Sequence, residues 1–162
     1  MSKKNILNFF LIIFIFAIDR ITKIYILGLD ELISGNTIIV NKFLNLDLIW
    51  NRGIAFGIFS FEDNFFYNTI TFAILLIILI LVYLIYTNNG LTKYSYIVIC
   101  GGAAGNLFDR IVYSSVPDFI DLNYNGFHWF IFNVADIFIT LGVICLILDE
   151  ILFKKYRYEN NN

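Results

Sequence analysis

Between Gly101 and Thr140 the chain reads GGAAGNLFDR, then a short polar passage containing PDFID, then FNVADIFIT. Asp109, Asp118, Asp136, Arg110, Asn106 and Asn133 stand within or beside long apolar runs. An ionised side chain near a bilayer centre costs roughly 3 kcal/mol or more, so a cluster of this kind marks a functional site by default. The chemistry these residue types suit is hydrolysis by two aspartates. Two neighbouring carboxylates resist being ionised together and share one proton. One then takes a proton from the attacking water while the other donates towards the scissile carbonyl. Such a pair titrates as a unit, and the residues alone assign neither member a fixed role.

The spacing says which elements must hold these groups. Asn106, Asp109 and Arg110 recur at i, i+3 and i+4, which gathers them on one helix face. Asn133 and Asp136 are three apart at the start of the next apolar run. Asp118 follows Pro117 in the passage between. Plainer readings exist for each: a helix N-cap with an acid in the first turn, a turn residue, an ion pair at a helix exit. Taken together they place Asp118 and Asp136 at one boundary of the apolar region, on separate elements that folding can bring together. His128 reads as an interfacial or loop residue, because no Ser or Cys nucleophile stands suitably beside it.

Composition fixes the class. Of 162 residues, 59% are hydrophobic and only 15% charged, against about 25% charged in soluble domains. Mean hydropathy is +0.77. The reading is a helical membrane protein of one domain, with four transmembrane helices and a small extracytoplasmic β-sheet or amphipathic segment. The spans fall at about residues 6–27, 65–86, 94–113 and 131–153, each near the ~20 residues that a bilayer requires. Lys3 and Lys4 ahead of an apolar run could open a cleaved leader, but Phe16-Ala17-Ile18-Asp19 lacks the small residues that cleavage needs. In the first span Asp19 and Lys23 are four apart and pair on one face. A net charge of −2 without a basic, aromatic-flanked run argues against nucleic acid. Cys100 and Cys145 lie in apolar runs and, with His128 alone, make no zinc set; neither metal nor cofactor is expected.

The segment 28–64 is different in kind. Gly28, Asp30, Glu31, Gly35 and Asn36 punctuate rather than propagate a helix. From Leu44 to Asn51 the pattern nearly alternates, with Leu44, Leu46, Leu48 and Trp50 on one face and Asn45, Asp47 and Asn51 on the other, which is a strand period spoiled by Ile49. Lys3, Lys4, Lys93, Lys154, Lys155 and Arg157 collect on one side of a four-span topology, so both termini are expected in the cytoplasm. Segments 28–64 and 114–130 then face each other outside, carrying Trp50 and Trp129 at the interface. Gly101 and Gly105, four apart, let helices approach closely.

Five stretches in order resemble the motifs of the lipoprotein signal peptidase (signal peptidase II) family of bacteria. They are Asp19–Lys23, Asn51–Gly57, Gly101–Arg110, Val116–Phe119 and Phe132–Asp136, and the resemblance covers nearly the whole chain. It implies an aspartic-type endopeptidase of the bacterial cytoplasmic membrane, with its active site at the outer face. The implied reaction removes the signal peptide of a diacylglyceryl-modified prolipoprotein just before its lipidated cysteine. Asp118 and Asp136 match the catalytic pair. Asn51, Gly53, Asn106, Arg110 and Asn133 match positions that hold substrate or support the pair, while Asp19, Lys23 and Asp109 match structural positions. Two residues depart from the pattern: Pro117 stands where a branched apolar residue is usual, and Phe130 where proline is common. The implied partners are the lipidated precursor and membrane lipids, with a monomer sufficient. Two other functions fit a buried acid pair: a small proton or ion carrier, and a non-catalytic membrane protein that binds prolipoproteins.

Overall fold

A computed structural model describes residues 3–53 and 64–159, with side chains from 5 to 152 within those ranges. Along the chain run α1 (Lys3–Ile33), β1 (Ile38–Asn41), β2 (Leu44–Asn51), α2 (Asn64–Thr87), α3 (Gly90–Tyr113), β3 (Val116–Tyr124), β4 (Phe127–Phe132) and α4 (Val134–Glu159). Four long helices therefore carry one small sheet of order β1-β2-β3-β4, antiparallel throughout. The two segments expected to face each other are hydrogen-bonded as β2 against β3. Residues 54–57 of the second motif lie outside the described residues.

α1 runs past the expected end at residue 27. One helical glycine costs about 1 kcal/mol, too little to stop α1 at Gly28, where even an added Cβ would meet nothing within 4 Å. The stop comes at Ser34 and Gly35, whose φ angles of 56° and 74° turn the backbone left-handed. Gly35 N then donates to Asp30 O at 3.0 Å, closing the helix C-terminus. At the other end of the chain, the helix expected from residue 131 begins at Val134, because Phe127–Phe132 forms β4. Asn125 and Gly126, at φ 50° and 80°, make the two-residue turn that joins β3 to β4.

α3 lies between α1 and α4, and its glycines set how closely they approach. A Cβ on Gly101 would stand 2.8 Å from Ile15, and one on Gly105 would strike the Asp19 carboxylate, both on α1. On the opposite side a Cβ on Gly102 would lie 2.6 Å from the Ala135 carbonyl oxygen of α4. α2 joins through Leu81 and Ile85 against Ile97, Ile99 and Cys100. Its outer face is apolar and exposed, with Phe72, Leu79, Ile80 and Tyr83 each more than half accessible. Among the described residues α2 is the helix whose length and composition suffice to cross a membrane, with hydropathy 2.8 over its best window. At 1.5 Å rise per residue its 24 residues reach ~36 Å.

β2 spans the residues that the alternation marks, but not with the expected faces. Leu46 pairs with Ile120 and Ile49 with Asp118, so three steps on β2 match two on β3. This bulge moves Ile49 and Asn51 onto the face of Leu44 and Leu46, and places Trp50 with Asn45. Ile49 is therefore no flaw in the pattern but the mark of the bulge. Pro117 is fully buried opposite Trp50, on a stretch of β3 that β4 joins only from Ile120 onward. A strand flanked on one side is where proline is tolerated.

Candidate active site

The site forms where β2, β3, α3 and the start of α4 meet. Asn133 is the N-cap of α4 and Asp136 its third residue, and their polar groups bond reciprocally. Asp136 N donates to Asn133 Oδ1 at 3.1 Å, and Asn133 N donates to Asp136 Oδ2 at 3.2 Å. This capping box satisfies two otherwise orphaned amides. The plain capping interpretation is thus correct, and it leaves the Asn133 amide nitrogen free to reach β3. There Nδ2 donates to Asp118 Oδ1 at 2.6 Å. One residue ties both carboxyl groups together, Asp118 through its side-chain amide and Asp136 through its backbone N.

Each remaining oxygen has its own donor. Asn51 Nδ2 reaches Asp118 Oδ2 at 2.8 Å, and Asn106 Nδ2 reaches Asp136 Oδ1 at 2.8 Å. These amides cannot flip without loss, since Asn51 Oδ1 accepts from Gly53 N at 2.7 Å and Asn106 Oδ1 accepts from Lys23 Nζ at 3.0 Å. Asp118 is in a strand, not a turn, and is 2% exposed. Burial first, and then the charge of Asp136, push its carboxyl up to about 6, against the amide donors of Asn133 and Asn51 and the charge of Lys23.

A cavity of about 210 Å³ opens on these groups. Asn51, Asn106, Arg110, Asp118, Asn133 and Asp136 form its polar end, and Ile74, Ile77, Ile99, Ala103, Val116 and Ile139 its apolar wall. Arg110 donates to the Gly53 carbonyl oxygen and lies 5.2 Å from the centre of the Tyr67 ring. Its Nη1 is buried without a hydrogen-bond partner among the described residues. A second, apolar groove runs from Asp136 along Ile137 and Leu141 past Phe132, Leu122 and Phe130. Among the described residues no three His, Cys, Asp or Glu side chains group as a metal-binding set.

Behind the site sits a buried charge network. Lys23 Nζ donates to Asp19 at 3.0 Å and to Asp109 at 2.6 Å, and Arg20 bridges the same two acids at 3.0 and 2.5 Å. Asp19 Oδ1 also accepts from Ala135 N at 3.0 Å, capping the first turn of α4 from another helix. The expected Asp19–Lys23 pair exists, but it is buried completely and shared with α3. The one-face reading of Asp109 with Arg110 fails. Asp109 turns to α1 while Arg110 turns to Gly53 and Tyr67, since neighbouring helical positions differ by about 100°.

The profile of the Signal peptidase (SPase) II family matches residues 11–152. The chain belongs to that family. A lipoprotein signal peptidase of Pelagibacter ubique (strain HTCC1062) is 51% identical over 166 aligned residues, covering 100% of both chains. Another, from Anaplasma phagocytophilum (strain HZ), is 38% identical over 92% of this chain and 94% of its own. The fold is similar to a bacterial membrane enzyme solved by the in meso method at 2.3 Å resolution, with TM-score 0.74, 30% identity, and 91% of this chain and 88% of that one covered.

Against this family frame, Asp118, Asp136, Asn51, Asn106, Arg110 and Asn133 converge on one cavity, and Gly53 adjoins it through Arg110. Asp19, Lys23 and Asp109 stand one layer behind. Sequence reasoning missed Arg20 as the second bridge, and Tyr67, whose Oη donates to the Arg110 carbonyl oxygen at 2.9 Å. Arginine beside Asp19 was a visible signal. A tyrosine early in α2 was none.

Proposed function

We propose that this peptidase works as an aspartic endopeptidase within the membrane, with Asp118 and Asp136 as its catalytic pair. The observation that carries the reading is the side chain of Asn133, which bonds Asp118 and caps the helix turn of Asp136, so both carboxyl groups face one cavity. Asp118 keeps its proton to about pH 6, which favours a singly protonated pair. The ionised member takes a proton from water as it attacks the scissile carbonyl, and the protonated member donates to the carbonyl oxygen. Arg110 Nη1 supplies a hydrogen-bond donor for a substrate backbone carbonyl.

The substrate is a diacylglyceryl-modified prolipoprotein, cut before the lipidated cysteine. The exposed apolar flank of α2 and the groove leaving Asp136 suit a lipid-embedded precursor. In this reading α1 to α4 all cross the bilayer, both termini lie in the cytoplasm, and the sheet sits at the outer face. The whole chain forms one domain and a monomer suffices. A proton carrier would distribute acids through bilayer depth, whereas Asp118 and Asp136 share one cavity.

The test compares Asp118→Asn and Asp136→Asn with the unaltered protein on lipidated and unlipidated precursor peptides. Each variant should lose cleavage by at least about a thousandfold, as removal of a group acting in the transition state does. Cleavage at the normal rate by either would defeat the mechanism; equal cleavage of unlipidated precursor would defeat the substrate assignment.

A further inference from the structure

Asp121 is fully buried yet has no place in the mechanism above. It stands three residues along β3 from Asp118, hence on the opposite face of the sheet. Its Oδ2 accepts from Asn45 Nδ2 of β2 at 3.1 Å and lies 2.8 Å from His128 Nδ1 of β4. A carboxylate only accepts, so Nδ1 carries the hydrogen, in the neutral ring or the charged one. Asn123 Nδ2 stands at the edge of the same oxygen, at 3.5 Å. Asp121 Oδ1 is buried with no hydrogen-bond partner among the described residues. One carboxylate oxygen therefore joins three neighbouring strands.

Its position along the sheet matters more than the bonds themselves. Asn45 pairs with Asp121 one row before Leu46 and Ile120, the last pair ahead of the β2 bulge, and Ile49 pairs with Asp118 directly after it, so Asp121 and Asp118 flank the bulge from either side. Without the bulge, Leu48 would stand opposite Asp118, and Asn51 would turn to the far face with Asn45. The amide that bonds Asp118 is available only while the extra residue stays between those two rows. Asn51 itself secures one side of the bulge. The other side has Asp121, held in turn by His128.

We propose that Asp121 and His128 are positioning residues for the peptidase reaction. They pin the strand register that presents Asn51 to Asp118, from the opposite face of the sheet. The inference rests on the catalytic reading of Asp118, and its test is built to tell the two apart.

The experiment measures kcat, KM and the pH profile of full-length protein in detergent with a lipidated precursor peptide. The variants are His128→Phe, His128→Asn, Asp121→Ala, Asn51→Ala, the Asn51→Ala/Asp121→Ala double and Asp118→Asn. An asparagine amide can occupy the place of imidazole Nδ1, whereas phenylalanine fills the space without a donor. His128→Phe, Asp121→Ala and Asn51→Ala should each lower kcat about 10- to 100-fold, with KM changed less than about threefold. His128→Asn should recover most of that loss. The alkaline limb should move to higher pH in all three impaired variants, because Asp118 loses a donor that favours its ionised form. In the Asn51→Ala background Asp121→Ala should add less than about threefold, since both act through one contact.

Asp118→Asn inactive while His128→Phe and Asp121→Ala keep normal kcat and pH limb would overturn this inference alone. So would multiplicative losses in the double variant, or His128→Asn as impaired as His128→Phe. Asp118→Asn cleaving at the normal rate would overturn the catalytic reading and this inference with it. His128 is more than half exposed at its side chain, so His128→Phe gives a readout even if Asp121→Ala does not fold.

Discussion

Replacing Asn133 by serine separates two jobs that one side chain performs. Its Oδ1 caps α4 by accepting from Asp136 N at 3.1 Å, and its Nδ2 donates to Asp118 at 2.6 Å. Serine caps a helix about as well as asparagine, and either is worth about 1 kcal/mol over alanine. The shorter serine hydroxyl does not span the distance to β3. Both Asn133→Ser and Asn133→Ala lose the buried bond to Asp118, and Asn133→Ser should remain about 1 kcal/mol more stable than Asn133→Ala because it keeps the cap. The activity of both should fall together. A hydrogen bond to a charged group is worth roughly 1.5–3 kcal/mol, so cleavage should slow by about 10- to 150-fold. The alkaline limb should also move up, because a lost donor lets Asp118 hold its proton to higher pH. Thermal unfolding in detergent and precursor cleavage across pH 4–9 measure both effects. Asn133→Ser cleaving at the normal rate, or melting as early as Asn133→Ala, would refute the division of labour.

Three further outcomes follow from the same geometry. Lys23→Met leaves Asp19 and Asp109 with Arg20 as their remaining charged partner among the described residues, and should destabilise by about 3–5 kcal/mol, seen as loss of folded protein on heating. Gly102→Ala drives a methyl against the Ala135 carbonyl, a backbone group that cannot swing aside. It should cost about 1–3 kcal/mol by the same assay and also slow cleavage, because Ala135 precedes Asp136. Asp118 has a folded-state value of about 6, above its ordinary one, so the folded protein retains a proton that the unfolded chain releases. Its contribution to stability is thus full below about pH 4 and is lost as pH rises through 6, to the order of 2–3 kcal/mol. Unfolding midpoints taken from pH 4 to 8 should fall less steeply for Asp118→Asn than for the unaltered protein.

Periodicity and motif spacing made much of this architecture readable without coordinates. Long apolar runs can only become helices that bury or immerse one another, so the four helices were legible to within several residues at their ends. β2 was legible because a strand half in contact with a greasy surface must alternate. Asn133 and Asp136 were legible because capping is local, needing only residues three apart.

What remained hidden depends on partners far away in the chain. Gly28 does not end α1, because the penalty of one glycine is outweighed by the contacts of the helix around it. The bulge in β2 left a trace as Ile49, but which way Asn51 then faced required β3 alongside. Asp109 and Arg110 are adjacent in sequence and part company because α1 and Tyr67 lie on different sides of α3. Asp121 carried no reading in the sequence, because only the pairing of three strands encloses it with Asn45 and His128. The sequence by itself singled out the polar residues of a kind to do this chemistry, together with the helices and the β2 strand that carry most of them, but not β3, which carries Asp118. The tertiary structure decided which amide faces which carboxylate, since hydrogen bonds are directional over a few ångströms and strand register is settled by the neighbour, not by the strand.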